Sequence, residues 1–248
     1  MKREKEMYKE YLNTIEQLLG RIERLQSGGM ERAAALLSKT LCEDGLIYLF
    51  GCGHSHMLAE EGFYRAGGLG AVCPMLPSEL MLHEGAAKSS SLERMSVLAT
   101  EIIARYPISP RDSLVIFSNS GINGLPVEMA RLGKEKGTRI ICVSSGSYAC
   151  EASRHPRGLR LSDICDVHID NNVPYGDAGY ELKGMRARMG PLSTFAGAYI
   201  LDCLLARAAE MAAQSGNSPA IYVSGNVTGG REQNETVIAR YRDRIRAL

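Results

Sequence analysis

Apolar residues at Met7, Tyr11, Ile15, Leu18, Ile22 and Leu25 recur at spacings of four, four, three, four and three, which is one stripe of an amphipathic helix. Ser27-Gly28-Gly29 predicts the end of that helix, and a second helical stretch runs from about Glu31 to Cys42. A stripe on an otherwise charged helix needs a surface to cover it. Either the rest of the chain or a second subunit supplies one, and both readings stand. From Leu46 the pattern changes. Leu46 to Phe50, Ser113 to Phe117 and Arg139 to Val143 are short continuous apolar runs, with shorter ones at Ala71 to Cys73 and Val167 to Ile169. The longer runs lead into small-residue loops, and Gly124 to Lys136, closed by Gly137, is helical in pattern. Unbroken apolar runs alternating with helices predict parallel strands covered on both faces, an α/β layered sheet. Ser90-Ser91-Leu92-Glu93 reads as a capping box opening a helix that stops before Pro107. A long helix follows Gly190-Pro191 to about Gln214, and a last one carries Val237, Tyr241, Ile245 and Leu248. Asn171 to Gly190 reads as a long polar loop of the kind that forms lids.

In an open parallel sheet, ligands bind beyond the carboxyl ends of the strands, where loops meet helix starts. Two such loops carry candidate chemistry. The first is Gly51-Cys52-Gly53-His54-Ser55-His56, whose glycines allow a sharp turn into a helix start that favours an anion. It is not a dinucleotide fingerprint, because His56 stands where the third glycine is needed, and no Gly-Lys-Ser/Thr exists for a nucleotide-binding loop. The second is Ser118-Asn119-Ser120-Gly121-Ile122-Asn123, a phosphate-sized set of donors without a lysine, followed by a helix with Pro126 in its first turn. Composition sharpens this. Lys plus Arg is 29 against Asp plus Glu at 28, a net charge of +1, and residues 1–32 hold seven basic and six acidic side chains, which excludes a nucleic-acid partner. No apolar run approaches the roughly 18 residues of a membrane span, and the charged start Met1–Glu6 is unlike a signal peptide. Seven cysteines without a Cys-x-x-Cys pair fit buried small hydrophobes in a reducing compartment, so the expected location is cytoplasmic.

The paired loops, strand-Gly-x-Gly-x-Ser-helix and then strand-Ser-x-Ser-Gly-x-Asn-helix, resemble the SIS (sugar isomerase) family over roughly residues 30–214. The Gly53-His54-Ser55-His56 loop with Glu60-Glu61 and Arg65-Ala66-Gly67-Gly68 is similar to a less characterised, sugar-isomerase-like branch. The resemblance implies a three-layer α/β sandwich with a central parallel sheet, flavodoxin-like, plus N- and C-terminal helices. Residues 1–43 would form a helical extension for packing or oligomerisation, and 44–248 the phosphosugar-binding domain. It also implies a homodimer or homotetramer that binds a sugar phosphate through Gly53, Ser55, Ser118, Asn119, Ser120, Gly121 and Asn123.

Glu84, in His83-Glu84-Gly85-Ala86, resembles the stretch that bears an acid/base glutamate in N-acetylmuramic acid 6-phosphate etherases. Gly190-Pro191-Leu192-Ser193-Thr194 is similar to the opening of a long helix in the same enzymes. The glutamate that etherases and phosphoheptose isomerases carry about ten residues after the first loop's serine falls here on Arg65. The expected chemistry is aldose–ketose isomerisation through an enediol, with Glu84 as base, His56 or His54 assisting, and no cofactor or metal. A phosphosugar lyase and a non-catalytic phosphosugar sensor are the alternatives. Glu60 and Glu61 follow one turn along, and at least one should face the protein, since helical neighbours differ by about 100°. Ser224-Gly225-Asn226-Val227 forms a polar tip near the end of the chain.

Overall fold

The computed structural model describes residues 2–248, with side chains from Glu6 onward; most of the charged start Met1–Glu6 lies outside the described side chains. Five strands form one parallel sheet: β1 (Ile47–Gly51), β2 (Val72–Met75), β3 (Ser113–Phe117), β4 (Arg139–Ser144) and β5 (Val167–Asp170). Their order is β2-β1-β3-β4-β5, so the chain turns back across the sheet between β1 and β3. That order is the flavodoxin-like one, and its reversal point is where ligands of such sheets bind. The helices are α1 (Lys2–Cys42), α2 (Met57–Glu61), α3 (Ala86–Leu92), α4 (Leu98–Ile103), α5 (Gly124–Glu135), α6 (Leu161–Ile164), α7 (Ser193–Gln214) and α8 (Gly230–Tyr241).

The unbroken apolar strands are explained by cover on both faces. Leu49, Val115, Phe117, Ile141 and Ile169 pack against α1, α2 and α7. Phe50, Leu114, Ile116, Ile140 and Cys142 pack against α4, α5 and α8, giving three layers. Asp112 fixes the entrance to β1 and β3, accepting hydrogen bonds from the amide of Leu46 and from the amide and hydroxyl of Ser109, each at 2.7 Å. Among the described residues, no helix is long and apolar enough to cross a membrane.

Three expectations are corrected. The helix does not end at Ser27-Gly28-Gly29; α1 runs unbroken for 41 residues. Two glycines in a helix cost roughly 1 kcal/mol each relative to alanine. Burial on both sides offsets this, with Leu18 and Ile22 before the pair and Ala33, Ala34 and Leu37 after it in the same core as α7. Ser90–Glu93 does not open a helix but closes α3, which starts after Gly85. The serines of that helix turn inward or backward instead of capping: Ser89 donates to the Leu80 carbonyl at 2.6 Å and Ser91 to that of Ala87 at 3.0 Å. Within Asn171 to Gly190 lies an antiparallel hairpin, β6 (Ala178–Glu181) with β7 (Arg188–Pro191), whose mostly half-buried and exposed positions carry no apolar signal.

Candidate functional site

The two loops of the sequence analysis leave β1 and β3, the strands on either side of the reversal point, so the fold sets them side by side. Gly51 ends β1 where a Cβ would lie 2.4 Å from the Ser55 carbonyl oxygen, so the loop folds back tightly only without a side chain there. One turn of 3-10 helix, Gly53–His56, then leads into α2. After β3, the second loop is fixed by its main chain: Ser118 donates to the Val143 carbonyl at 3.1 Å, and the Asn119 carbonyl accepts from Ser145 at 2.8 Å.

The loops meet at a narrow cleft, whose polar walls are His54, Ser55, Ser118, Asn119, Asn171, Ser193 and Thr194. Asn171 donates to the Asn119 side-chain oxygen at 2.9 Å and so sets which way that amide faces. Ser193 and Thr194 begin the 22-residue α7, whose first amides and positive dipole end favour an anion. Asp177 accepts from the Ser193 amide at 2.7 Å and from its hydroxyl at 2.6 Å, which anchors that helix start on one side. No protein partner is found for the hydroxyls of Ser55, Ser118 and Ser120 among the described residues.

The remaining sequence-derived residues are placed differently. His56 is buried and turned into its own loop, with Nδ1 2.5 Å from the Gly53 carbonyl and Nε2 3.7 Å from Glu60. Ser120 and Gly121 lie off the cleft wall. Asn123 is buried, and its side chain is engaged within the protein: Nδ2 donates to Glu93 Oε1 at 2.7 Å, and Oδ1 accepts from Arg154 Nη1 at 2.6 Å. Glu84 is exposed in a 3-10 turn ahead of α3 and does not line the cleft. Glu61 pairs with Arg65. Ser224 and Gly225 line a separate groove with Tyr64 and Arg231. Among the described residues, no three His, Cys, Asp or Glu side chains are grouped to hold a metal ion.

Sequence reasoning passed over Glu93, which does not line the cleft but lies beside the first loop at Gly53. It is half-buried, and burial pushes its carboxyl above the usual carboxylate range while Arg94 and Arg154 pull the other way. Its neighbour Cys52 is buried, and burial together with the Glu93 charge pushes that thiol well up. The signal available was Glu93 itself, an acidic residue after a helix of serines; the capping-box reading hid it. Under the second loop, the Ser144 hydroxyl lies 2.7 Å from His168 Nε2, and burial pulls the His168 imidazole down.

A family model described as SIS domain matches residues 10–145. A UPF0309 protein of Listeria monocytogenes is 40% identical over 243 residues, which cover 98% of either chain. A UPF0309 protein of Caldanaerobacter subterraneus is 42% identical over 241 residues, covering 94% of this chain and 98% of its own. Among solved structures, a phosphoheptose isomerase from Francisella tularensis superposes with a TM-score of 0.57 at 12% identity, over 85% of this chain and 99% of that one.

Proposed function

The chain belongs to the SIS-domain family, and on that premise we propose that it binds a sugar phosphate and interconverts its aldose and ketose forms through an enediol. The observation that carries this reading is the cleft at the sheet's reversal point. There, free serine hydroxyls of both loops meet the start of α7. Neutral donors and a helix dipole bind a dianion without a competing lysine. The sugar then extends from an anchored phosphate, so that binding energy distant from the reacting carbons holds them in place.

Isomerisation takes a proton from the carbon beside the carbonyl and returns it to the neighbouring carbon. It therefore needs one well-placed acid/base group and a donor for the oxygens. In this reading His54, on the cleft wall, serves the oxygens, whereas Glu84, the base to which the sequence points, is exposed and off the cleft. The test is thermal unfolding with a panel of aldose and ketose phosphates beside their unphosphorylated parents. At a ligand concentration 100 times Kd the phosphates should stabilise the protein by about 2.7 kcal/mol, and the free sugars far less. Replacing both Ser118 and Ser120 by alanine should remove that preference. An unchanged preference would take the phosphate away from the second loop.

A further inference from the structure

We propose that Glu93 is the proton-transferring carboxylate of this site, with Asn123 as its positioning residue. The inference rests on the sugar-phosphate reading above and names the group that does its chemistry. Glu93 is held at two points, one on its main chain and one on its carboxylate. Its carbonyl accepts from the Leu125 amide at 3.1 Å, which ties its main chain to the start of α5. Its Oε1 accepts from Asn123 Nδ2, and Asn123 Oδ1 accepts in turn from Arg154. A guanidinium only donates, so Arg154 fixes which end of the Asn123 amide faces the carboxylate. The second oxygen, Oε2, has no partner among the described residues. It lies 3.8 Å from where a Cβ on Gly53 would stand, so it faces the first loop at a residue that offers no side chain to cover it.

One oxygen anchored and one free, on a half-buried carboxylate beside the loop, is the arrangement that general base catalysis needs. Burial strengthens the base by holding its proton more tightly than an exposed glutamate would. Glu84, by contrast, is exposed, and no hydrogen bond orients its carboxylate among the described residues. In the proposed step Oε2 takes the proton from the carbon next to the carbonyl. The C–H pair becomes the enediol double bond, and the carbonyl oxygen receives a proton from a hydroxyl, imidazole or water donor. Glu93 then returns its proton to the adjacent carbon as the other enediol oxygen gives one up, so nothing is oxidised or reduced overall.

The test measures uptake of deuterium from deuterated water into glucose 6-phosphate, fructose 6-phosphate, ribose 5-phosphate and ribulose 5-phosphate, alongside their affinities. Glu93→Gln should bind the exchanging sugar phosphate within about threefold of wild type while exchange falls roughly 10²- to 10⁴-fold. Glu93→Asp, which keeps the charge and shortens the reach, should retain an intermediate rate and covers the case in which the glutamine variant fails to fold. Asn123→Ala should lower kcat and leave KM unchanged, a split that a packing defect would not produce. Exchange at the wild-type rate in Glu93→Gln overturns the proposal, and loss of exchange in Glu84→Gln would then return the role to Glu84. Wild-type protein that binds none of these phosphates, or binds one without exchanging its carbon proton, refutes the isomerase reading itself and this inference with it.

Discussion

At Glu93 the stability of the fold and the proposed chemistry pull in opposite directions, because burial that makes a carboxylate a stronger base also makes it a less comfortable anion. A carboxyl whose folded pKa is raised binds its proton more tightly folded than unfolded. Stability is therefore lost as pH rises from the unfolded value, about 4.3, through the higher folded one. The groups around it are the cationic Arg94 and Arg154, which moderate the effect, and the Cys52 thiol, which stays protonated. Glu93→Gln keeps an oxygen for Asn123 and removes the charge. It should raise the melting temperature at pH 7, and the gap from wild type should narrow as pH falls toward 4. A gap that is constant across that range would show that Glu93 is not strained by its charge. This residue was hidden in the sequence by its context, since serines three positions ahead of a glutamate read as a cap. Only the tertiary contacts with Asn123 and Gly53 reveal what the carboxylate faces. The free serines of the loops were legible, because a loop of small polar residues at the end of a strand leaves its hydroxyls few other partners.

Elements were legible wherever the apolar pattern was driven by burial. β1, β3 and β4 lie within a residue of the runs Leu46 to Phe50, Ser113 to Phe117 and Arg139 to Val143, because both of their faces are covered. Propensity misled where packing outweighed it. Gly28 and Gly29 sit inside α1 with ordinary helical backbone, and a Cβ at Gly28 would meet only Arg32 Nη1, at 3.9 Å, while one at Gly29 would meet atoms at 3.8 Å or beyond. Neither position requires glycine. Gly28→Ala should accordingly stabilise the protein by about 0.4–1 kcal/mol, through a less disordered unfolded chain and a better helix former. For a chain of this length that is a rise of roughly 1–4 °C in melting temperature. A lower melting temperature would mean that the break read from the sequence marks a needed bend. The β6–β7 hairpin was illegible for the opposite reason: at positions that bury little, strand and loop have the same polar pattern.

At the scale of the molecule, the middle of the helical stripe that called for a cover has one within the chain, and its last residue, Leu25, does not. Leu18 and Ile22 are buried in the core shared with α7, and Tyr11 and Ile15 pack against it. Besides Leu25, with 64% of its surface exposed, the uncovered large apolar residues of α1 are Tyr8 and Leu12, which lie off the stripe and are 71% and 52% exposed. Tyr8 and Leu12 are one turn apart, hence on one side of the helix. Next to them Tyr11 meets the exposed Phe195 ring edge-on, 6.3 Å between centroids, and Phe195 follows directly on Ser193 and Thr194 of the cleft. A second copy seated on this side of α1 would cover an apolar surface and stand beside the start of α7. Two-fold association is the simplest closed arrangement for such a patch. Sedimentation at micromolar concentration is expected to give about twice the 27.0 kDa of one chain, and Leu12→Glu should shift the protein toward the single-chain mass. A purely monomeric wild type would refute the assembly. A Leu12→Glu monomer that binds sugar phosphate as tightly as the wild type would confine the association to structure, whereas weakened binding would join the α1 surface to the site through Phe195.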